Sequence, residues 1–177
     1  RLPRWAALLI TFAALLAARA REARLVDVRL RTIDTRVGTL LLAATPAGLV
    51  SVTFDGADPD ATVDRLADRL GSRVLRDVRG LDAAARGVAA LADGRARTFD
   101  GDLDLALATG FRGDVVRALR DIPYGETRSY GDVARAVGSP GAVRAVGTAC
   151  RLNPLPIVIP CHRVVRSDGS LGQYAGG

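Results

Sequence analysis

The sequence has no lysine and no methionine, only two cysteines, Cys150 and Cys161, and a single histidine, His162. Two thiols and one imidazole fall short of the roughly four Cys or His ligands that a structural zinc site draws from its protein, so no metal site is expected. A chain of 177 residues does not need a disulfide, and a reducing, cytoplasmic setting is the simpler assumption. Long apolar runs are scarce as well. The run from Trp5 to Ala18, interrupted only by Thr11, is 14 residues long, too short for the roughly 20 residues of a membrane span, and no membrane partner is expected. Its length and its flanks, Arg1 and Arg4 before and Arg19, Arg21 and Arg24 after, match a targeting segment, an appended linker helix or an upstream extension. With an initial Arg and no Met, this start is not expected to be a natural one.

What is present suits a packed protein. A hydrophobic content of 49% with 25% charged residues excludes the disordered and collagen-like classes. The formal net charge of +6 is carried at the two ends. Residues 1–24 hold five Arg against one acid, residues 25–105 eleven against thirteen, and residues 106–177 nine against five. That excess suits a polyanion, although charge alone is a weak pointer to nucleic acid.

Three regions follow from the pattern: an extension (1–24), an N-terminal α+β unit (25–105) and a helical C-terminal unit (106–177). Short apolar runs around Val28, Leu40 to Ala44 and Leu49 to Phe54, punctuated by Gly38, Pro46-Ala47-Gly48 and Asp55-Gly56, predict a small antiparallel sheet of hairpins. Helical spacing follows in Asp58 to Arg79 and in the Ala-rich Leu81 to Leu91. In the C-terminal unit, Phe111, Val115, Ala118 and Leu119 share one helical face. Ser129 is a cap with Asp132 three residues on, and Gly138 is a stop. Ser139 with Pro140 opens another helix almost at once, which makes a helix-turn-helix. On that second helix Val143, Val146 and Cys150 lie on one side, with Arg144, Thr148 and Arg151 nearly opposite beside Ala145. A buried stripe and a solvated Arg face would explain this as well as nucleic-acid binding does.

An apolar strand, Ile157-Val158-Ile159, leads to Pro160-Cys161-His162-Arg163. Most cysteines beside such a strand are inert. Here the only histidine and an arginine follow at once, and cationic neighbours convert thiol to thiolate.

Pro160-Cys161-His162-Arg163, preceded by Asn153-Pro154 and by Arg144-Ala145-Val146-Gly147, resembles the active-site region of the O6-methylguanine-DNA methyltransferases. Ile122-Pro123-Tyr124-Gly125-Glu126-Thr127, Ser129-Tyr130-Gly131 and Gly172-Gln173-Tyr174-Ala175-Gly176-Gly177 extend the similarity, which is dense over residues 111–177. The resemblance implies a ribonuclease H-like N-terminal unit and a winged-helix, helix-turn-helix C-terminal unit acting as a monomer. It implies one-time alkyl transfer from O6-alkylguanine in double-stranded DNA to Cys161 without a cofactor, O4-alkylthymine being a further candidate substrate. Ala142, Ala145, Gly147, Thr148 and Arg151 would line the minor groove, with Thr148 where glycine is often found. Arg144 would fill the gap left by the flipped nucleotide, a rotation the buried O6 atom requires. Tyr130 would crowd the 3′ phosphate and serve N3 of the departing guanine. His162 would deprotonate the thiol through a water, and Asn153 would brace the turn. Pro156, Val164, Tyr174 and Ala175 would line the base pocket, the Ala175 amide donating to O6. The family pattern continues past the paired glycines with a helix whose glutamate orients the histidine, so a form ending at Gly177 is expected to react more slowly and be less stable than one extended by that helix. A lesion-binding relative that does not repair, or a cysteine hydrolase using Cys161 and His162, are the alternatives. The first normally lacks the cysteine, and the second lacks a separate histidine with suitable geometry.

Overall fold

In the computed structural model, residues 12–13, 15–16, 18–20, 25–54, 59–77 and 80–172 are described. Three strands form consecutive antiparallel hairpins: β1 (Val28–Thr35), β2 (Gly38–Thr45) and β3 (Gly48–Phe54). The turn before β3 requires glycine. Gly48 has φ 144°, and a Cβ there would stand 2.5 Å from the Asp102 carbonyl oxygen.

The expected all-antiparallel sheet is corrected at its other edge. Helix α1 (Pro59–Leu70) ends well before Arg79, and a short strand, β4 (Val74–Arg76), returns to pair parallel with β1. The order is β3-β2-β1-β4, a mixed sheet. Helix α2 (Asp82–Ala92) follows as expected.

Strand alternation divides the sheet's contacts between two cores. Val28, Leu30, Ala43 and Val50 pack with Leu66 of α1. Leu40, Leu42, Leu49 and Val52 join a larger core with Ala85 and Val88 of α2 and with the C-terminal unit. That unit contributes α3 (Gly110–Arg120), α4 (Tyr130–Ala136) and α5 (Val143–Arg151), and a short parallel pair, β5 (Arg128–Ser129) with β6 (Val164–Val165). Leu119, Leu155 and Ile159 are fully buried there. Burial of each such side chain stabilises the fold by roughly 2 kcal/mol.

The described residues between 12 and 20 are helical, but Phe12, Leu15 and Leu16 are exposed rather than packed against the fold. Among the described residues no helix is long and apolar enough to cross a membrane.

Candidate active site

The helix-turn-helix begins with a complete capping box. Ser129 Oγ accepts from the Asp132 amide at 3.1 Å, and the Asp132 carboxylate accepts from the Ser129 amide at 2.8 Å. The serine hydroxyl and amide hold that carboxyl below its usual range. Gly138, at φ 71°, turns the chain out of α4 as expected.

The start of the second helix differs from expectation. Ser139 and Pro140 lie in a turn, where the Ala142 amide donates to the Ser139 carbonyl at 2.9 Å, and α5 begins at Val143 without a side-chain cap. Val146, Ala149 and Cys150 face inward, whereas Val143, expected among them, is 41% exposed. Arg144, Ala145, Thr148 and Arg151 are exposed on the opposite side, with Ala142 and Gly147 half-buried.

Tyr130, the first residue of α4, lies between this helix and the end of the described chain. Gly147 stands beside its ring, and a Cβ on Gly172 would lie 2.1 Å from its hydroxyl. Burial, and then proximity to Cys150, push the Tyr130 hydroxyl above its usual range.

The segment before Cys161 is a turn, not the expected strand. Pro154, Pro156 and Pro160 remove amide donors at intervals that a ladder could not tolerate, and Ile157 adopts φ 73°. One side chain organises the turn. Asn153 Nδ2 donates to the Ile159 carbonyl at 3.0 Å and to Cys161 Sγ at 3.3 Å, while its Oδ1 accepts from the Leu155 amide at 3.0 Å. From the N-terminal sheet, the Val52 amide donates to the Pro154 carbonyl at 2.9 Å.

Cys161 opens a single 3-10 turn (Cys161–Arg163) that runs directly into β6, and its side chain is 6% exposed. The expectation of a thiol ionised by its cationic neighbours is corrected. Burial pushes the thiol above its usual range, outweighing the lowering from Asn153 and from the Cys161 and His162 amides. Arg163 is directed elsewhere: its Nη1 donates to the Ile122 carbonyl at 2.7 Å, and its guanidinium lies 5.4 Å from the Tyr124 ring centroid, with Arg97 on the same ring at 5.1 Å. His162 is exposed and lines a 460 Å³ cavity with Tyr124, Ile157 and Arg163. Partial desolvation, then the Arg163 charge, lower its pKa, so it is a neutral base at pH 7.

Cys150 is a second buried thiol, pushed up to about 12 by burial and then by Cys161, and both cysteines are free. Pro156 and Val164 are buried beside the turn, whereas Tyr174 and Ala175 lie outside the described residues. Among the described residues no group of three His, Cys, Asp or Glu could hold a metal ion. The sequence reading missed the contacts of Cys150, Ile157, Gly172 and Val52. Only Gly172 carried a local signal, as a glycine within a motif.

A helix-turn-helix with an exposed arginine face, backed by a buried cysteine, defines a DNA-binding class of protein carrying a candidate nucleophile. A family model described as the 6-O-methylguanine DNA methyltransferase DNA-binding domain matches residues 110–177. A methylated-DNA–protein-cysteine methyltransferase of Mycolicibacterium paratuberculosis is 41% identical over 154 residues, covering 85% of this chain and 86% of the relative. One from Methanosarcina barkeri is 40% identical over 146 residues, covering 82% and 87%. The crystal structure of Mycobacterium tuberculosis OGT in complex with DNA superposes with a TM-score of 0.70 at 38% identity, covering 84% of this chain and 85% of that one. The chain belongs to the methylated-DNA–protein-cysteine methyltransferase family.

Proposed function

We propose that this protein repairs DNA by carrying the alkyl group of an O6-alkylguanine irreversibly onto Cys161, once per molecule. The observation that carries the reading is the buried Cys161 thiol, gripped by Asn153, behind a helix-turn-helix that offers arginine and small residues to a duplex. On this reading the exposed face of α5 enters the minor groove, where Ala142, Ala145, Gly147 and Thr148 keep the contact close. Arg144 takes the place of the extruded nucleotide, and Arg151 adds charge toward the phosphates.

Extrusion delivers the base to Tyr130, Pro156, Val164, Tyr174 and Ala175. His162, neutral at pH 7, draws the proton from the thiol through a water. The sulfur attacks the alkyl carbon in line, the carbon–O6 bond breaks, and the guanine leaves with a proton returned near N3, for which Tyr130 is the donor. The thioether has no route back to thiolate, and no cofactor takes part. We further assign the sheet-bearing part, residues 25–105, to the ribonuclease H-like class and residues 106–177 to the winged-helix class, the protein acting as a cytoplasmic monomer.

The test is mass spectrometry of the protein after incubation with a duplex containing O6-methylguanine. One methyl group confined to the peptide holding Cys161, and none on a Cys161→Ala variant, is the expected result. Loss of the lesion with no gain on that peptide would sink the reading.

A further inference from the structure

Among the described residues, Ile157 is the one non-glycine residue at positive φ, 73°. A β-branched side chain crowds its own backbone there, so such a residue persists only where its surroundings over-determine it. Two clamps bracket it. On one side the Val52 amide of β3 holds the Pro154 carbonyl, and Asn153 Oδ1 holds the amide of the fully buried Leu155. On the other, Asn153 Nδ2 holds the carbonyl of the fully buried Ile159, whose amide donates to the Leu155 carbonyl at 2.8 Å. The Ile157 side chain packs against the larger core and shares a cavity wall with His162. Glycine would adopt this conformation without cost. What isoleucine adds is a packed side chain that fixes where the turn reverses.

We propose that Ile157 is a positioning residue for alkyl transfer: its left-handed backbone, pinned by its packed side chain between the Val52 and Asn153 clamps, sets the path from Pro154 to Cys161 and thereby the aim of Sγ. The inference rests on Cys161 as the acceptor. Replacement by glycine relieves the backbone but frees the reversal, so a mobile sulfur meets the alkyl carbon in line less often. Replacement by valine keeps the branch and most of the packing.

The experiment compares wild-type, Ile157→Val and Ile157→Gly proteins in single-turnover transfer from a methylated duplex, well below each melting temperature. Iodoacetamide labelling of Cys161 against pH and affinity for the lesion duplex are measured alongside. The glycine variant is expected to lose between about tenfold and about a hundredfold in rate. Its labelling profile should move to higher pH as Sγ leaves Asn153, while duplex affinity is retained and the valine variant stays close to wild type. A glycine variant with wild-type rate and profile overturns the inference, as does a valine variant impaired equally. Should the glycine variant fail to fold, Ile157→Asn, which tolerates left-handed φ but lacks the aliphatic packing, is expected to show the same loss, and wild-type behaviour in it overturns the inference. Label on wild-type protein outside the Cys161 peptide overturns the acceptor reading and this inference together. Label on Cys161 with an indifferent Ile157 overturns this inference alone.

Discussion

Replacing Asn153 separates what holds the turn together from what tunes its sulfur. The side chain makes three hydrogen bonds, to the Ile159 carbonyl, Cys161 Sγ and the Leu155 amide. Asn153→Ala abolishes all three and strands the amide of the fully buried Leu155, while the Ile159 carbonyl keeps the Cys161 amide at 2.8 Å. With about 1 kcal/mol for each net hydrogen bond and more for the amide left unpaired, the loss of stability is roughly 2–5 kcal/mol. Asn153→Asp is the sharper probe. It keeps the acceptor for Leu155 but sets a carboxylate against the Ile159 carbonyl and the sulfur, where the amide had been a donor. A hydrogen bond to a charged partner contributes roughly 1.5–3 kcal/mol, so losing the one that steadies the thiolate slows transfer by about tenfold to about a hundredfold. Added carboxylate charge pushes the thiol further up. Urea midpoints at constant slope report the stability cost, and single-turnover transfer and iodoacetamide labelling against pH report on the sulfur. An aspartate variant that transfers at the wild-type rate with an unmoved labelling profile would show that Asn153 does not act on Cys161.

Three further outcomes are expected. Gly172→Ala places a Cβ within 2.1 Å of the Tyr130 hydroxyl, so the ring is displaced and the transfer rate falls with little change in Tm; an unchanged rate would remove Tyr130 from the site. Ser129→Ala breaks the capping box and lowers unfolding stability by about 1 kcal/mol, with transfer per folded molecule unaltered, as denaturation and burst amplitude would check. Stability is also expected to fall at alkaline pH. Cys150 and Cys161 have folded pKa values raised above the unfolded thiol, so their stabilisation is complete below about pH 8.5 and declines above it, by about 1.4 kcal/mol per pH unit for Cys150, with Cys161 adding in the same direction. A flat profile between neutrality and pH 10 would count against burial as the cause.

Much of the C-terminal unit was legible because its signals are local. Ser129 and Asp132 spell a cap that needs nothing from the rest of the fold, and Gly138 spells a stop. Misreadings arose where distant groups decide. Val74 to Arg76 is a strand only because β1 offers a parallel edge, and three residues carry no periodicity of their own. Ser139 and Pro140 have the composition of a helix start, yet the backbone spends them on a turn before Val143. The run Ile157 to Ile159 looked like a strand by apolarity, although its flanking prolines already opposed a ladder. Sequence adjacency misled most at the sulfur. Arg163 stands two residues from Cys161, but its guanidinium serves Ile122 and Tyr124, while Asn153, eight residues away, is the side chain that donates to Sγ.

The resting site is therefore a neutral pair, with the Cys161 thiol pushed up and the His162 imidazole pushed down, rather than the thiolate–imidazolium pair of a cysteine hydrolase. For a protein spent in one reaction this has a physical logic. A protonated sulfur is a poor target for adventitious oxidants, and a thiolate released from a high-pKa thiol is the stronger nucleophile once formed, since nucleophilicity rises with basicity. Deprotonation then belongs to the encounter with the lesion. The rate of transfer should rise with pH through neutrality as the thiolate fraction grows. The fall toward acid should steepen once His162 is protonated, at a pH below that of an ordinary histidine. A rate constant independent of pH between 6 and 9 would mean that the sulfur is already ionised in the folded protein, and that burial does not govern it.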